Sequence, residues 1–271
     1  MGLDGPLGAF AEAALSKLIE VDRAEVAYQE ALGARVERAI GAVCVANPAL
    51  PHPAFNAAFS LDAEGQDPTE FVHRIELVFA QDGVPFEFVA TPVTRPYGLG
   101  AAIAARGYEV ISSRTWTELM VDPPSEPDDP RLRVFEADDI AAWAEAVAKG
   151  TEEPYAFDLL CRLGDLTQRA EGHRLFVATY MGELAGGVEV SCDEGIAFVR
   201  RLAVKRRFRM RDVARALLHF GCEAAYADGG FRILARALDG TGTERRLESF
   251  GFVGMQISWE LARERPAFLL E

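Results

Sequence analysis

Seven basic side chains, Arg200, Arg201, Lys205, Arg206, Arg207, Arg209 and Arg211, fall within twelve residues, with no acid among them, in a chain of formal net charge −14. An apolar run closing on Leu202-Ala203-Val204 leads into them. Asp212 ends them, and Val213, Ala214, Ala216, Leu217, Leu218 and Phe220 follow, apolar at helical spacing. Strand, basic turn and helix in that order make a cradle for an oxyanion. The first turn of a helix offers N–H groups and the positive end of its dipole, and arginines add charge-assisted hydrogen bonds. A phosphorylated cofactor is the guest this chemistry fits. A solvated basic loop is the other meaning such a run can have.

The rest of the composition narrows the field. At 271 residues, 49% hydrophobic and 10% aromatic, the chain can bury a core in one large domain or two ordinary ones. Its pI near 4.8 argues against nucleic acid or an anionic membrane as a general partner, because the mean field repels phosphate polymers. Cys44, Cys161, Cys192 and Cys222 are scattered, without a CxxC pair or a histidine at ligand spacing, so no metal site is expected. The N-terminus shows no basic segment followed by an apolar run, and no stretch is long enough to span a bilayer. The expected location is the cytoplasm.

The positioning elements divide at Asp122-Pro123-Pro124-Ser125-Glu126-Pro127-Asp128-Asp129-Pro130, whose prolines and acids read as an exposed linker over 122–130. Two domains follow from it, 1–121 and 131–271. Both end alike. Phe86-Glu87-Phe88-Val89 opens a strand, an Ala-rich helix ends at Ala105-Arg106-Gly107-Tyr108, and alternation around Thr115, Thr117 and Leu119 marks the last strand. Phe231-Arg232-Ile233-Leu234, a helix over Thr243–Phe250, then Gly251-Phe252 and a strand with Met255, Ile257, Trp259 and Leu261 repeat the order. Asp67 to Glu70 and Thr241 to Glu244 are capping-box patterns. The first domain begins with helices near 10–20 and 24–32. The second adds a strand at 132–135, helices over 138–149 and 155–169, a hairpin of 175–180 with 184–191, a strand over 196–204 and a helix over 212–228.

This order resembles the GNAT N-acetyltransferase superfamily, in its tandem form with a degenerate N-terminal repeat. The resemblance covers about 130–271 and is carried most specifically by Leu202 to Leu218. It implies an α/β (α+β) fold of two GNAT-like lobes, each a mixed, mostly antiparallel sheet flanked by helices. It also implies acetyl-CoA, or another acyl-CoA, as cosubstrate, with no metal. The matching positions are Leu202, Ala203 and Val204 for the pantetheine strand, and Arg209, Met210, Arg211, Asp212, Val213 and Ala214 for the pyrophosphate turn. Arg209 takes the Q/R place of that turn and Ala214 its last small place, while Asp212 stands where the family has glycine. A carboxylate there either repels the phosphates or caps the helix. The first half carries no basic turn.

The implied activity is acyl-CoA-dependent N-acetyl transfer to a small-molecule or peptide amine, with no nucleic acid or membrane as partner and a homodimer left open. The position for the family's thiolate-protonating tyrosine is Leu247, which has no hydroxyl. Glu189 is the best-placed acid for a general base, though an exposed strand residue paired with Arg200 or Arg201 is the reading its position favours. Direct attack by a neutral amine needs little from either group. Trp143 reads as core, and Tyr155 and Phe157 as helix residues able to wall an acceptor site. His52, His173 and His219 lack a matching nucleophile. The competing reading is a catalytically degenerate scaffold that binds a ligand or a protein, favoured by Asp212 and Leu247. Acylation of a hydroxyl is a further option.

Overall fold

The computed structural model describes residues 6–38, 41–151 and 155–263. The chain forms two compact units, Met1–Ser113 with Gln256–Glu271, and Arg114–Met255. The expected cut at 122–130 differs from this division, because two strands change owner. The last strand of each half completes the sheet of the other half's unit.

In the first unit, α1 (Pro6–Ala31) precedes β1 (Arg35–Glu37), β2 (Val43–Ala46) and β3 (Ala57–Phe59). Then come α2 (Pro68–Ala80), β4 (Glu87–Ala90), α3 (Leu99–Ala105) and the beginning of β5 (Glu109–Leu119). Two helices are expected over 10–32, but α1 is continuous: Val21-Asp22-Arg23 supplies neither glycine nor proline to stop it. The helix α2 starts where its capping pattern places it, with the Asp67 carboxylate accepting from the Glu70 N–H at 2.9 Å. Its apolar face, Phe71, Ile75 and Phe79, is buried with Phe88, Leu99, Ile103 and Tyr108. Strands β3 and β4 run parallel, and β4 takes as its next, antiparallel neighbour the end of β11 (Phe252–Ala262), through Trp259↔Ala90 to Leu261↔Phe88.

The second unit follows the expected order closely. It comprises β6 (Leu132–Glu136), α4 (Ile140–Gly150), α5 (Phe157–Thr167), β7 (His173–Tyr180), β8 (Glu183–Asp193), β9 (Ile196–Val204), α6 (Val213–Ala227), β10 (Arg232–Leu238) and α7 (Gly242–Ser249). Its sheet runs β5-β10-β9-β8-β7-β6, all antiparallel except the β10–β9 pair. Successive glycines on β8 bring helices onto opposite faces. A Cβ at Gly186 would lie 3.1 Å from the Leu217 and Val213 side chains of α6, and one at Gly187 3.2 Å from the Trp143 ring of α4. Trp143 is fully buried there, its indole N–H donating to the Val188 carbonyl at 3.2 Å. The expected sheet-and-helix architecture is present in both units. The turn into β11 needs Gly251, at φ 91°, where a Cβ would lie 2.2 Å from Val121.

Candidate functional site

The site grows out of a disagreement between neighbouring strands. Strand β9 stays paired with β8 as far as Val204, but its ladder with β10 ends at Ala235↔Val199. Beyond that point β10 follows β5 instead, through Arg236↔Trp116 to Leu238↔Arg114. Two parallel strands that obey different partners must part, and a groove opens between Arg200–Val204 and Arg236–Leu238. A β-bulge marks the fork. One extra residue sits in β9 between the Gly187↔Ala203 and Glu189↔Arg200 pairs, and Arg201 there has φ 51°. Left-handed backbone on a bulky residue costs of order 1–3 kcal/mol, and such strain gathers at functional sites.

One end of the groove is built for an anion. It is lined by Leu202 and Val204 of β9, Arg209 and Ala214 after it, Gly150 at the end of α4, and Gly242, Thr243 and Arg246 of α7. A short 3-10 turn, Arg206–Phe208, carries the chain off β9, and Arg246 donates to the Arg209 carbonyl at 3.2 Å, tying α7 to the turn. At the N-terminus of α6, Asp212 adopts φ 53° and ψ 12°, and its side chain makes no capping hydrogen bond. The carboxylate therefore leaves the helix N–H groups to another acceptor. Asp212 also shows why glycine suits this place: the backbone is left-handed, a region aspartate tolerates and glycine enters freely. In the first unit the equivalent helix start, at α2, is closed by Asp67.

The other end of the groove, sharing Leu202 and Thr243, is lined by Arg114 and Trp116 of β5, Thr151, Tyr155, Val199 to Arg201, Arg236 to Leu238, and Thr241. Thr241 and Glu244 close their capping box, since the Thr241 oxygen accepts from the Glu244 N–H at 3.3 Å and the Glu244 carboxylate accepts from the Gly240 N–H at 2.6 Å.

Of the residues expected to hold a cofactor, Leu202, Val204, Arg209 and Ala214 come together on the groove. Ala203 and Val213 turn into the core of the second unit. Met210 is 90% exposed, and Arg211 lies over the Tyr180 ring at 5.6 Å instead of lining the groove. Glu189 is fully buried on β8, with its carboxylate accepting from Arg201 Nη1 at 2.6 Å. It sits behind the groove wall and reaches the groove through that arginine. Leu247 is buried in the core. Sequence reasoning missed Gly150, Thr243, Arg246, Arg114, Trp116 and Arg236, which no local pattern singles out.

No cysteine or histidine is among the described residues that line the groove. All four cysteines are free, and burial pushes the Cys44 and Cys222 thiols up to about 12, far from thiolate formation. Burial lowers the pKa of His173, keeping it neutral. His52 accepts from the Ala54 N–H in its turn. Among the described residues, no group of side chains could hold a metal and no helix is long and apolar enough to cross a membrane.

A parallel strand pair that parts over a bulge is thus followed by an arginine-bearing turn and an open helix start. Residues 137–252 match the model of the Acetyltransferase (GNAT) family. Among solved structures, the chain is similar to a GCN5-related N-acetyltransferase from Kribbella flavida, at 14% identity and a TM-score of 0.64, covering 89% of this chain and 94% of that one. A GCN5-related N-acetyltransferase from Sphaerobacter thermophilus aligns at 15% identity and TM-score 0.59, over 82% and 76% of the two chains. A tandem GNAT protein from the clavulanic acid biosynthesis pathway aligns at 16% and 0.57, over 83% and 78%. No curated protein matches.

Proposed function

We propose that the second unit transfers an acetyl group from acetyl-CoA to an amine, and that the first unit holds no cofactor. The observation that carries this is the groove itself, open between β9 and β10 and ending at Arg209, Arg246 and the uncapped start of α6. It fits a long, thin molecule with a phosphorylated end. The β9 edge beyond Val199 is released from its ladder with β10, so it offers backbone groups to a pantetheine chain. Gly150 supplies room, since a Cβ there would lie 2.7 Å from the Val204 nitrogen. Arg209, Arg246 and the α6 N–H groups suit the phosphates.

Acetyl-CoA supplies an activated carbonyl: the amine lone pair forms the N–C bond, the C–S bond breaks, and sulfur takes up the proton that nitrogen loses. The chain's contribution is positioning and charge. Arginines at the acceptor end disfavour an ammonium ion and favour the neutral, attacking amine. Glu189 acts as a positioning residue, fixing the Arg201 guanidinium at the bulge. Thr243 lies where the two ends of the groove meet, one turn before Leu247 on α7. With no tyrosine on α7, its hydroxyl is the donor we assign to the departing sulfur. Four free, scattered cysteines accord with a reducing, cytoplasmic setting.

The two lobes share the order strand, helix, strand, helix, strand with a parallel pair at its start, β3–β4 and β9–β10, which supports duplication with loss of the first site. The degenerate-scaffold reading keeps its support in Asp212 and Leu247. Free-thiol release from acetyl-CoA, followed across a panel of primary amines with mass detection of the acetylated product, separates the two. Amine-dependent release supports transfer. Acetyl-CoA binding without release by any amine would make the unit a binding module.

A further inference from the structure

The basic run that dominates the sequence is larger than the groove needs. Of its seven side chains only Arg200, Arg201 and Arg209 line the groove. Lys205 is held by Glu145 at 2.8 Å, and Arg207 pairs with Glu183. Arg206 and Arg211 are exposed and, like Arg209, meet no carboxylate among the described residues; Arg211 rests on the Tyr180 ring. Between Arg209 and Arg211 stands Met210, 90% exposed. The backbone that presents them is hydrogen-bonded, with the Phe208 N–H donating to the Lys205 carbonyl at 2.8 Å and the Arg211 N–H to the Phe208 carbonyl at 3.0 Å, and Phe208 is buried beneath. A chain of net charge −14 thus displays exposed arginines around an apolar side chain on one fixed turn.

Arginine with methionine is the composition that protein interfaces favour over lysine and glutamate. Position selects the partner. The turn borders the end of the groove lined by Arg209 and Arg246, where a donor's arm must enter, and not the acceptor end. A body docked there is the body to which the arm is attached. In acetyl-CoA that body is a nucleotide, whose phosphates Arg209 and Arg246 already suit and to which a methionine side chain adds nothing. We propose that the turn 206–211 docks an acidic protein that carries its acyl thioester on a phosphopantetheine arm, so that the second unit takes acyl groups from a protein-borne donor as well as from acetyl-CoA. The proposal rests on the acetyl-transfer reading above and names a second donor for that same site. The step balances as before: the amine nitrogen forms the N–C bond, the C–S bond to the arm breaks, and the arm's sulfur takes up the proton, so the carrier leaves with a free thiol. Salt screens the chain's overall negative charge beyond about 8 Å under physiological conditions, so the local patch sets how an acidic partner approaches. The exposed Asp212 closes the patch on the α6 side and marks an edge that the partner's acids avoid.

Calorimetric titration of the full chain with four probes tests it. They are the acyl carrier protein of bacterial fatty-acid synthesis acetylated on its phosphopantetheine thiol, the same protein without the arm, acetyl-phosphopantetheine without the protein, and acetyl-CoA. The acetylated carrier should bind about tenfold or more tighter than the arm alone. Arg206→Glu, outside the groove lining, should weaken carrier binding about tenfold and leave acetyl-CoA affinity unchanged, which also shows that the variant is folded. Met210→Ala should weaken the carrier more than it weakens acetyl-CoA. A carrier that binds no tighter than its arm would overturn the proposal, as would an armless carrier that binds as tightly as the acetylated one. So would an Arg206→Glu loss shared equally by acetyl-CoA, which would assign the turn to the nucleotide. Failure of acetyl-CoA to bind the unaltered chain counts against the transfer reading, whereas acetyl-CoA that binds beside an idle carrier counts against the docking proposal alone.

Discussion

Replacing Asp212 by glycine isolates the one residue that departs from the phosphate-turn pattern. Its effect on folding should be small, because opposing terms nearly cancel. Glycine relieves left-handed backbone that costs an ordinary L-residue about 1–2 kcal/mol and aspartate less, while its looser unfolded chain costs about 0.5–1 kcal/mol. No capping hydrogen bond is lost, because the Asp212 side chain makes none. A net change within about 0.5 kcal/mol is expected. Binding should move more. A carboxylate about 6 Å from a phosphate charge in water-like surroundings costs about 0.7 kcal/mol, so two such charges cost about 1.4 kcal/mol, or about tenfold in affinity. Asp212→Gly should therefore tighten acetyl-CoA binding by about tenfold in calorimetric titration at low salt. The gain should shrink at high salt as the repulsion is screened. Weaker binding in the glycine variant would refute the reasoning and would mean that the carboxylate helps hold the ligand. A stability loss well above 0.5 kcal/mol would show that it caps α6 in solution.

Three further outcomes follow. Arg209→Ala removes a guanidinium from the groove's anionic end and should weaken acetyl-CoA binding about ten- to hundredfold from a micromolar or weaker starting point; unchanged affinity would move the phosphates elsewhere. Gly150→Ala places a Cβ 2.7 Å from the Val204 backbone, so it should cost about 1–3 kcal/mol in chemical denaturation and raise the KM for acetyl-CoA; a neutral substitution would mean that α4 does not form the groove's wall. In the first unit, burial pushes the Asp22 pKa up to about 6 from its ordinary 3.8, against the lowering effect of the Ser60 hydroxyl that donates to it at 2.8 Å. The folded state thus holds a proton that the unfolded state gives up, so this contribution is complete below pH 3.8 and is lost as pH rises through about 6. Asp22→Asn should raise stability at pH 8 by up to ~3 kcal/mol and leave it nearly unchanged at pH 3.5; a variant less stable at pH 8 would contradict this.

Much of this molecule is legible along the chain. Strand β9 and helix α6 stand where periodicity puts them, because each has one strongly apolar face and a polar or turn-forming boundary. The capping patterns at Asp67 and Thr241 mark real helix starts. Illegible were the features set by partners distant in sequence. Nothing local to 109–119 or 252–262 says that β5 joins β10 or that β11 joins β4, and that pairing alone draws β10 away from β9. The bulge at Arg201 is hidden for the same reason, since only register against β8 reveals an extra residue. The arginine wall was therefore visible as composition and invisible as a site: Arg200 and Arg201 stood out as a basic run, while Arg114 and Arg236 arrive from strands far along the chain. Met210 and Arg211 show the converse, residues inside the right motif whose side chains the turn directs elsewhere.

The central claim is that the fork between β9 and β10 holds acetyl-CoA. A crystal structure of the full chain grown with saturating acetyl-CoA tests it most directly. The account predicts one molecule per chain, its phosphates at Arg209, Arg246 and the start of α6, its pantetheine along Leu202–Val204 and its acetyl group facing Arg200 and Arg236. Density for the cofactor in the first unit, or a fork left empty at saturation, would contradict it.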